Sequence, residues 1–575
     1  MTFAAAKFRK FLPVAAFAML AEFLMGVADV VITGHVIGDA GLSAVSLMQP
    51  VFAAVSFVAM LVGTGTSLLY STEMGRFDKR RASEFLTQGL WCAIGLGAIF
   101  AFVLVVFRNP ALDLLGASEK VRVLAEDFWR WFIPCAILEP VAFFLFSMCS
   151  ADGDCPLCTT AYGVQIVGNC ALSVPLTMRY GVAGCAAGTA VGHVLAICVL
   201  LMHLKRNGNS LSFVRHFSFF DAGRIVSCAA GDASVRIFQA VLFFVLNMYV
   251  IARFGTERLP VLAAVIVVLG LSEAFDCVPA AAQPLVSVYF GERSDRLVHR
   301  IMRYAFFTSL SFGLVATAIL ALFPMLVVKM VGISDPTLVA DTEFAVRVVS
   351  IGLVGTALLV LYNSYCMVVG WIPLAAIVSF LAALAAPVAL VLPFGLCLGE
   401  RGVWLALGLA PFLAVLATAA IASYKRGWRG FPLFLDIIRR RCSRVYDLFL
   451  EPKAICEVSA KIGKYLAARI DKRRADLSSL LVEDSLMTVF DRNAGKKILA
   501  EVTLDLSDAP RIILRDDGEI FDLTDADAMA TSFRIYFVSC LMAAIPARRN
   551  MTTTSFNRNM FQIDLEEKIR SKHGS

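Results

Sequence analysis

The stretch Phe11–Ile37, FLPVAAFAMLAEFLMGVADVVITGHVI, decides how the rest of the chain is read. It is a near-continuous apolar run interrupted by two carboxylates, Glu22 and Asp29. Lys7, Arg9 and Lys10 stand just before it, as in a secretion signal. The run is too long for a signal's apolar region, and it lacks a convincing small-residue cleavage site. About 20 apolar residues suffice to cross the hydrocarbon core of a bilayer, so the stretch is read as a retained first membrane span.

The same ruler places further spans near 47–73, 84–107, 128–150, 158–178 and 181–204. A second group falls near 230–254, 261–290, 302–331, 344–370, 372–397 and 402–424. Composition agrees, since 59% of the 575 residues are hydrophobic, 17% are charged, and mean hydropathy is +0.75. Soluble domains average about 45–50% apolar and about 25% charged residues, so lipid must cover the surplus. Backbone polar groups inside such spans must be satisfied within the segment, which makes them helices. The expected fold is an all-α polytopic membrane protein of twelve spans, followed by a C-terminal α+β domain.

Lys and Arg in short loops orient the spans. With the N-terminus inside, cytoplasmic loops hold Arg76, Lys79, Arg80 and Arg81, then Lys205, Arg206 and Arg215, then Arg293, Arg296, Arg300 and Arg303. Arg108, Lys120, Arg122 and Arg130 fall on the opposite side and weaken the signal. Both termini are expected in the cytoplasm, at the cell's inner membrane. The net charge of +7 is spread over these loops, so no nucleic-acid partner is expected. Fifteen cysteines lack disulfide or metal-ligand spacing and read as small buried hydrophobes, the Cys155–Cys158 CxxC included.

Two loops repeat. Gly75-Arg76-Phe77-Asp78 follows the second span, and Gly291-Glu292-Arg293-Ser294 follows the eighth, 216 positions later. Gly181-Val182-Ala183-Gly184 precedes the sixth span, and Gly402-Val403-Trp404-Leu405 precedes the twelfth, 221 later. The spans are therefore expected to form two six-helix lobes, 1–215 and 216–440, about a pseudo-two-fold axis normal to the membrane. Such halves enclose a central cavity and move against each other.

An ionisable group in the bilayer centre is costly and marks function by default. Glu22 and Asp29 stand two turns apart on nearly one face. Glu139 adjoins Pro140; Gln165, Asn169 and Ser173 follow at one-turn intervals; His193, Asn247, Glu273 and Asp276 complete the set. Burial raises a carboxylate's pKa, so such a group can take up a proton on one side and release it on the other. The alternative is a satisfied polar pair that only fixes helix packing.

Asp29-Val30-Val31-Ile32-Thr33-Gly34, Leu42-Ser43-Ala44-Val45 and Gln49-Pro50 resemble the first-span signature of multidrug and toxic-compound extrusion (MATE) transporters. Gly63–Ser67, Gly75–Arg81, Ser150–Asp154 and Gln283-Pro284-Leu285 continue the resemblance over roughly residues 8–425. It implies export of small amphipathic organic compounds in exchange for H+ or Na+, by rocking of the two lobes. It also implies that Asp29 carries the coupling cation. A fifth-span Asn with an Asp four residues later often completes that site; Asn169 matches, but Ser173 stands where the Asp would be. Asn247 lies near the second-lobe counterpart of Asp29. A lipid-linked precursor flippase of the wider superfamily, and a membrane sensor signalling through its tail, remain alternatives.

From about Arg441 the composition turns soluble, with helices at Glu457–Arg469 and Ala475–Phe490 and strands at Ile498–Leu506 and Arg511–Leu514. A helix near Ala528–Ile545 and a hairpin through Phe561-Gln562-Ile563 follow. Leu480–Leu486 and Asp516–Asp522 resemble motifs of the histidine-kinase-like ATPase fold of anti-sigma-factor kinases. That resemblance implies adenine contacts from Asp516 and Gly518, with Asp484 and Thr488 standing where a Glu and an Mg2+-binding Asn would be. The Asn is missing, and Ser532-Phe533-Arg534 replaces the glycine-rich phosphate lid. A degenerate ATP/Mg2+ module, or a site for a cytoplasmic regulatory protein, is therefore expected rather than a working kinase. No GxxxxGK[ST] motif occurs, so neither an enzyme nor a P-loop pump is expected.

Overall fold

The computed structural model describes residues 2–37, 44–45, 48–114, 119–206, 208–255, 258–331, 333, 335–426, 443–506, 511–519, 541, 548–552 and 557–562. Its first part is helical: α1 Phe3–Val36, α2 Gln49–Gly75, α3 Lys79–Val106, α4 Arg108–Leu114, α5 Glu119–Phe132, α6 Cys135–Ala151, α7 Cys155–Tyr180 and α8 Val182–Leu201. After a loop come α9 Phe219–Phe254, α10 Leu259–Gly270, α11 Cys277–Gly291, α12 Asp295–Leu322, α13 Met325–Val331, α14 Pro336–Ile351, α15 Leu353–Val368, α16 Ile372–Phe380 and α17 Ala386–Arg426. A 3-10 turn, Leu271–Asp276, joins α10 to α11.

Among the described residues nine helical runs are long and apolar enough to cross a membrane, or ten if α5 and α6, bent by 46°, form one span. That is fewer than the twelve expected. The count leaves out α1, helical over 34 residues, and takes Ile372–Tyr424 as a single run. Inside that run Gly399 breaks the helix with φ 65 and ψ −146.

The repeat is written in the backbone. Phe77 and Arg293, 216 positions apart, are both left-handed, at φ 60 and φ 57. Only glycine enters that region freely, so two bulky side chains held there mark the same built turn. Gly181 and Gly399 share φ 64, ψ −148 and φ 65, ψ −146, an offset of 218. Gly184 and Gly402 match as well, since an added Cβ would lie 2.1 Å from the carbonyl oxygen of Leu176 or of Phe394. The sequence paired Gly181 with Gly402; the structure moves the register by three, because close helix contact, not the GV dipeptide, fixes the glycines.

The tail is a five-stranded antiparallel sheet in the order β1-β2-β3-β5-β4. Its strands are β1 Ser443–Phe449, β2 Leu499–Asp505, β3 Arg511–Asp516, β4 Arg548–Thr552 and β5 Asn557–Gln562. Two helices, α18 Pro452–Ala467 and α19 Lys472–Arg492, precede β2. The helix layer over an antiparallel sheet is as expected, and β4 with β5 forms the closing hairpin. The edge strand β1 was not expected. The helix anticipated near Ala528–Ile545, apart from the buried Leu541, and the lid position Ser532–Arg534 lie outside the described residues, so the kinase-like fold rests on the sequence alone.

Strand alternation sends Ala500, Val502, Leu504, Ile512 and Leu514 into one core with α18 and α19. Ile513 points the other way and joins an apolar cluster with Leu69, Tyr70, Met74 and Phe77 of the membrane part. The sheet is thus covered on both faces, which is why every residue of β2 is buried.

Candidate functional site

Between the two sets of helices lies a cavity of about 920 Å³. Helices α2, α5, α6, α7 and α8 supply one wall; α9, α10 and the Leu271–Asp276 turn supply the other. The surface is strongly aromatic, with Phe52, Phe132, Phe143, Phe146, Phe243 and Phe244 among its residues.

Three polar contacts interrupt that lining. On the first wall Glu139 is half-buried and accepts a hydrogen bond of 2.6 Å from Ser56 Oγ. The side-chain amide of Gln165 meets His193 Nδ1 at 3.1 Å, both groups being buried. On the second wall Arg236 of α9 forms an ion pair with Glu273. A side pocket of about 90 Å³ opens beside that pair, lined further by Asp276, Asn363 and Ser379. Charges kept in so apolar a setting need partners, and these have them. Asn247 also lines the main cavity.

Asn169 and Ser173 are placed differently. Both are fully buried, one layer behind the wall, in the seam between α7 and α8. Asn169 Nδ2 donates to Thr189 Oγ1 at 3.0 Å, and Ser173 Oγ donates to Asn169 Oδ1 at 3.4 Å. Gly188 makes room for this, since a Cβ there would come 2.1 Å from Ser173 Oγ. Of the group only Thr189 reaches the cavity. Glu22 and Asp29 are on α1, which packs on α7; their side chains lie outside the described residues.

One residue was missed. Arg236 is a guanidinium in the interior of the apolar run 230–254, well inside Arg253 at its end, and its signal was the same as that of the acids: a charge where the bilayer disfavours one.

Toward the tail, α2 and α11 cross in close backbone contact. A Cβ on Gly75 would lie 2.2 Å from the oxygen of Val288, and one on Gly291 would lie 2.1 Å from that of Thr72. Two backbones this close leave no passage between them.

In the tail, the Asp516 carboxylate accepts from Asn557 Nδ2 at 2.9 Å and from the Gly518 amide at 3.2 Å. Burial pushes that carboxyl up to about 6, against these hydrogen bonds. Thr488 Oγ1 donates to the Asp484 carbonyl at 2.7 Å, so it turns back on its own helix. The structure thus joins Asp516 and Gly518, with Asn557 as a partner, in the local work of closing a turn.

Residues 15–174 match the family model described as MatE. The multidrug export protein MepA of Staphylococcus haemolyticus (strain JCSC1435) is 22% identical over 342 residues, covering 57% of this chain and 74% of that protein. Its namesake from Staphylococcus aureus (strain NCTC 8325 / PS 47) is 24% identical over 196 residues, covering 34% of this chain and 43% of that protein, less than half its length. Among solved structures, the outward-facing conformation of a multidrug resistance MATE family transporter of the MOP superfamily superposes with TM-score 0.68 at 20% identity, covering 73% of this chain and 95% of that one. A MOP superfamily transporter from Pyrococcus furiosus Vc1 (DSM3638) gives 0.67 at 20% identity, covering 73% and 96%. A variant of the Vibrio cholerae MATE transporter VcmN gives 0.66 at 18%, covering 75% and 98%. The chain is therefore an integral membrane protein with the MATE transporter fold, and residues 15–174 carry that family's sequence pattern.

Proposed function

We propose that this protein is a secondary active exporter of amphipathic organic cations. The observation that carries the reading is the cavity of about 920 Å³, aromatic on its walls and provided with the carboxylate of Glu139, with α2 and α11 crossing in backbone contact toward the tail. Aromatic faces attract an organic cation through their quadrupole, and a carboxylate supplies the counter-charge. Twelve spans in two lobes, 1–215 and 216–440, rock about this cavity. The tail, 441–575, and both termini lie in the cytoplasm, and the membrane is the plasma membrane. The tail side is then the inner side, and the cavity faces outward.

H+ or Na+ entering from outside provides the coupling, with Asp29 as its carrier. Asn169 and Ser173 contribute as the packed layer behind the wall. The tail regulates the cycle through a partner or a nucleotide, without hydrolysis. The flippase reading is less well supported, because the large cavity's Arg236 is already neutralised by Glu273 rather than offered to a pyrophosphate.

The test is flux of a fluorescent organic cation from proteoliposomes under separately imposed pH and sodium gradients. One gradient should drive efflux and Asp29→Asn should abolish it. Transport unchanged by that substitution removes Asp29 from the mechanism, and no flux under either gradient removes export.

A further inference from the structure

The tail does not hang beside the membrane part; it is built into the seam between the halves. Arg558 of β5 is 2% exposed and touches both sides. It donates to the carbonyl of Met74, at the end of α2, and to Glu292 Oε1 at 3.2 Å, just past α11. Its guanidinium lies 4.2 Å from the centre of the Phe77 ring, at the left-handed turn of the first half. The crevice it helps to line also holds Tyr70 and Ser71 from one half and Leu285 and Val288 from the other.

Asp447 of β1 makes a second bridge. Its Oδ1 accepts from the Phe3 amide of α1 at 2.9 Å, and its Oδ2 accepts from Arg300 Nη1 of α12 at 2.7 Å. Between the bridges Glu292, its side chain fully buried, also pairs with Arg515, while Arg511 donates to its carbonyl. Arg515 in turn meets Glu501 at 2.5 Å and sits 4.9 Å from the centre of the Tyr289 ring.

We propose that the docked tail is a latch, holding the tail-side ends of the two halves together so that the cavity turns inward only after the tail lets go. The inference rests on the rocking-lobe reading above. Parting Gly75 from Gly291 separates Met74 from Glu292 and Phe3 from Arg300, so each bridging side chain must release one end. Glu292 is then left without the guanidinium it shares with the first half. A tail that merely lay on one half would resist nothing, and each bridge taken alone would suffice to couple docking to closure.

The test uses the full chain in proteoliposomes with Ser71→Cys as reporter. Ser71 is 2% exposed, and sulfur for oxygen changes its volume little. Maleimide labelling at position 71 is followed by mass spectrometry in the parent, in Arg558→Gln and in Arg300→Gln. Arg558→Gln should speed labelling by roughly tenfold to a hundredfold, the worth of one charge-assisted hydrogen bond. Arg300→Gln leaves the Glu292 cluster intact and should speed it by up to about fivefold, as for a partly exposed pair. Labelling unchanged in both overturns the latch. The labelling needs no substrate, so the two readings fail separately. Faster labelling without cation flux keeps the latch and removes export, whereas gradient-driven flux with unchanged labelling keeps export and removes the latch.

Discussion

Gly75→Ala should loosen the tail-side seal by an amount that follows from one contact. The new Cβ would lie 2.2 Å from the Val288 oxygen and 2.9 Å from the Gly291 Cα, where ordinary contact begins near 3.4 Å. Helices α2 and α11 must therefore separate by about 1 Å, and both obstacles are backbone that cannot swing aside. Overpacking of this kind costs about 1–3 kcal/mol. At about 1.4 kcal/mol per decade, the sealed state loses roughly five- to 150-fold in population against one with the ends apart. Gly291→Ala, whose Cβ would meet Thr72 oxygen at 2.1 Å, should act alike. The two together should fall short of additivity, because they open the same contact. Labelling of Ser71→Cys measures the shift, and spin labels at Lys79 and Asp295 give the accompanying distance. Unchanged labelling and an unchanged distance distribution, in a monodisperse protein, would refute the crossing as the seal.

Three further outcomes are expected. Glu139→Gln removes the carboxylate from the first wall while keeping an acceptor for Ser56, and should weaken binding of an organic cation by about tenfold or more; equal half-saturation for cationic and neutral substrates in parent and variant would show that Glu139 does not read charge. Glu292→Gln leaves Arg515 and Arg558 buried without their shared anion, a loss of about 3–5 kcal/mol of docking, seen as faster exchange of the Phe3 amide; unchanged exchange would place the docking energy elsewhere. Burial pushes Glu501 up to about 7, with Arg515 pulling it down and Asp447 and Glu292 pushing it up. A released tail gives Glu501 an ordinary carboxylate pKa near 4.3, so docking takes up a proton. This contribution to docking is therefore fully present below about pH 4.3 and is lost by the time pH has risen through about 7. Labelling at position 71, corrected for thiol ionisation, should rise over that window and flatten in Glu501→Gln; an unaltered profile in that variant assigns the pH response to another group.

The tail shows how far one-dimensional pattern reaches. Strands β2 and β3 alternate, so Ala500, Val502, Leu504, Ile512 and Leu514 were legible as one face of a sheet. The other face, with Glu501, Thr503, Ile513 and Arg515, reads in sequence as a mixed, solvated surface, yet all four are buried. Nothing within the strands announces that a membrane bundle covers them. Strand β1 was missed because Ser443–Phe449 follows a basic run and its edge position needs only one partner strand. In the same way Asn169 and Ser173 were legible as polar residues one turn apart. Their facing α8 rather than the cavity depends on which helix lies alongside.

The sequence by itself determined that the chain spans a membrane, that two of its loop motifs recur, and which side chains inside the spans stand where lipid disfavours charge. Those conclusions follow from hydropathy, spacing and the cost of charge in lipid, all local to a segment. Only the tertiary structure decided that Glu139 and the Arg236–Glu273 pair share a cavity, that Gly75 and Gly291 bring α2 and α11 into backbone contact, and that Arg558 and Asp447 of the tail each touch both sets of helices. Each of these is a meeting of residues far apart in the chain, and a periodic pattern fixes which way a side chain points on its own element but not what stands opposite.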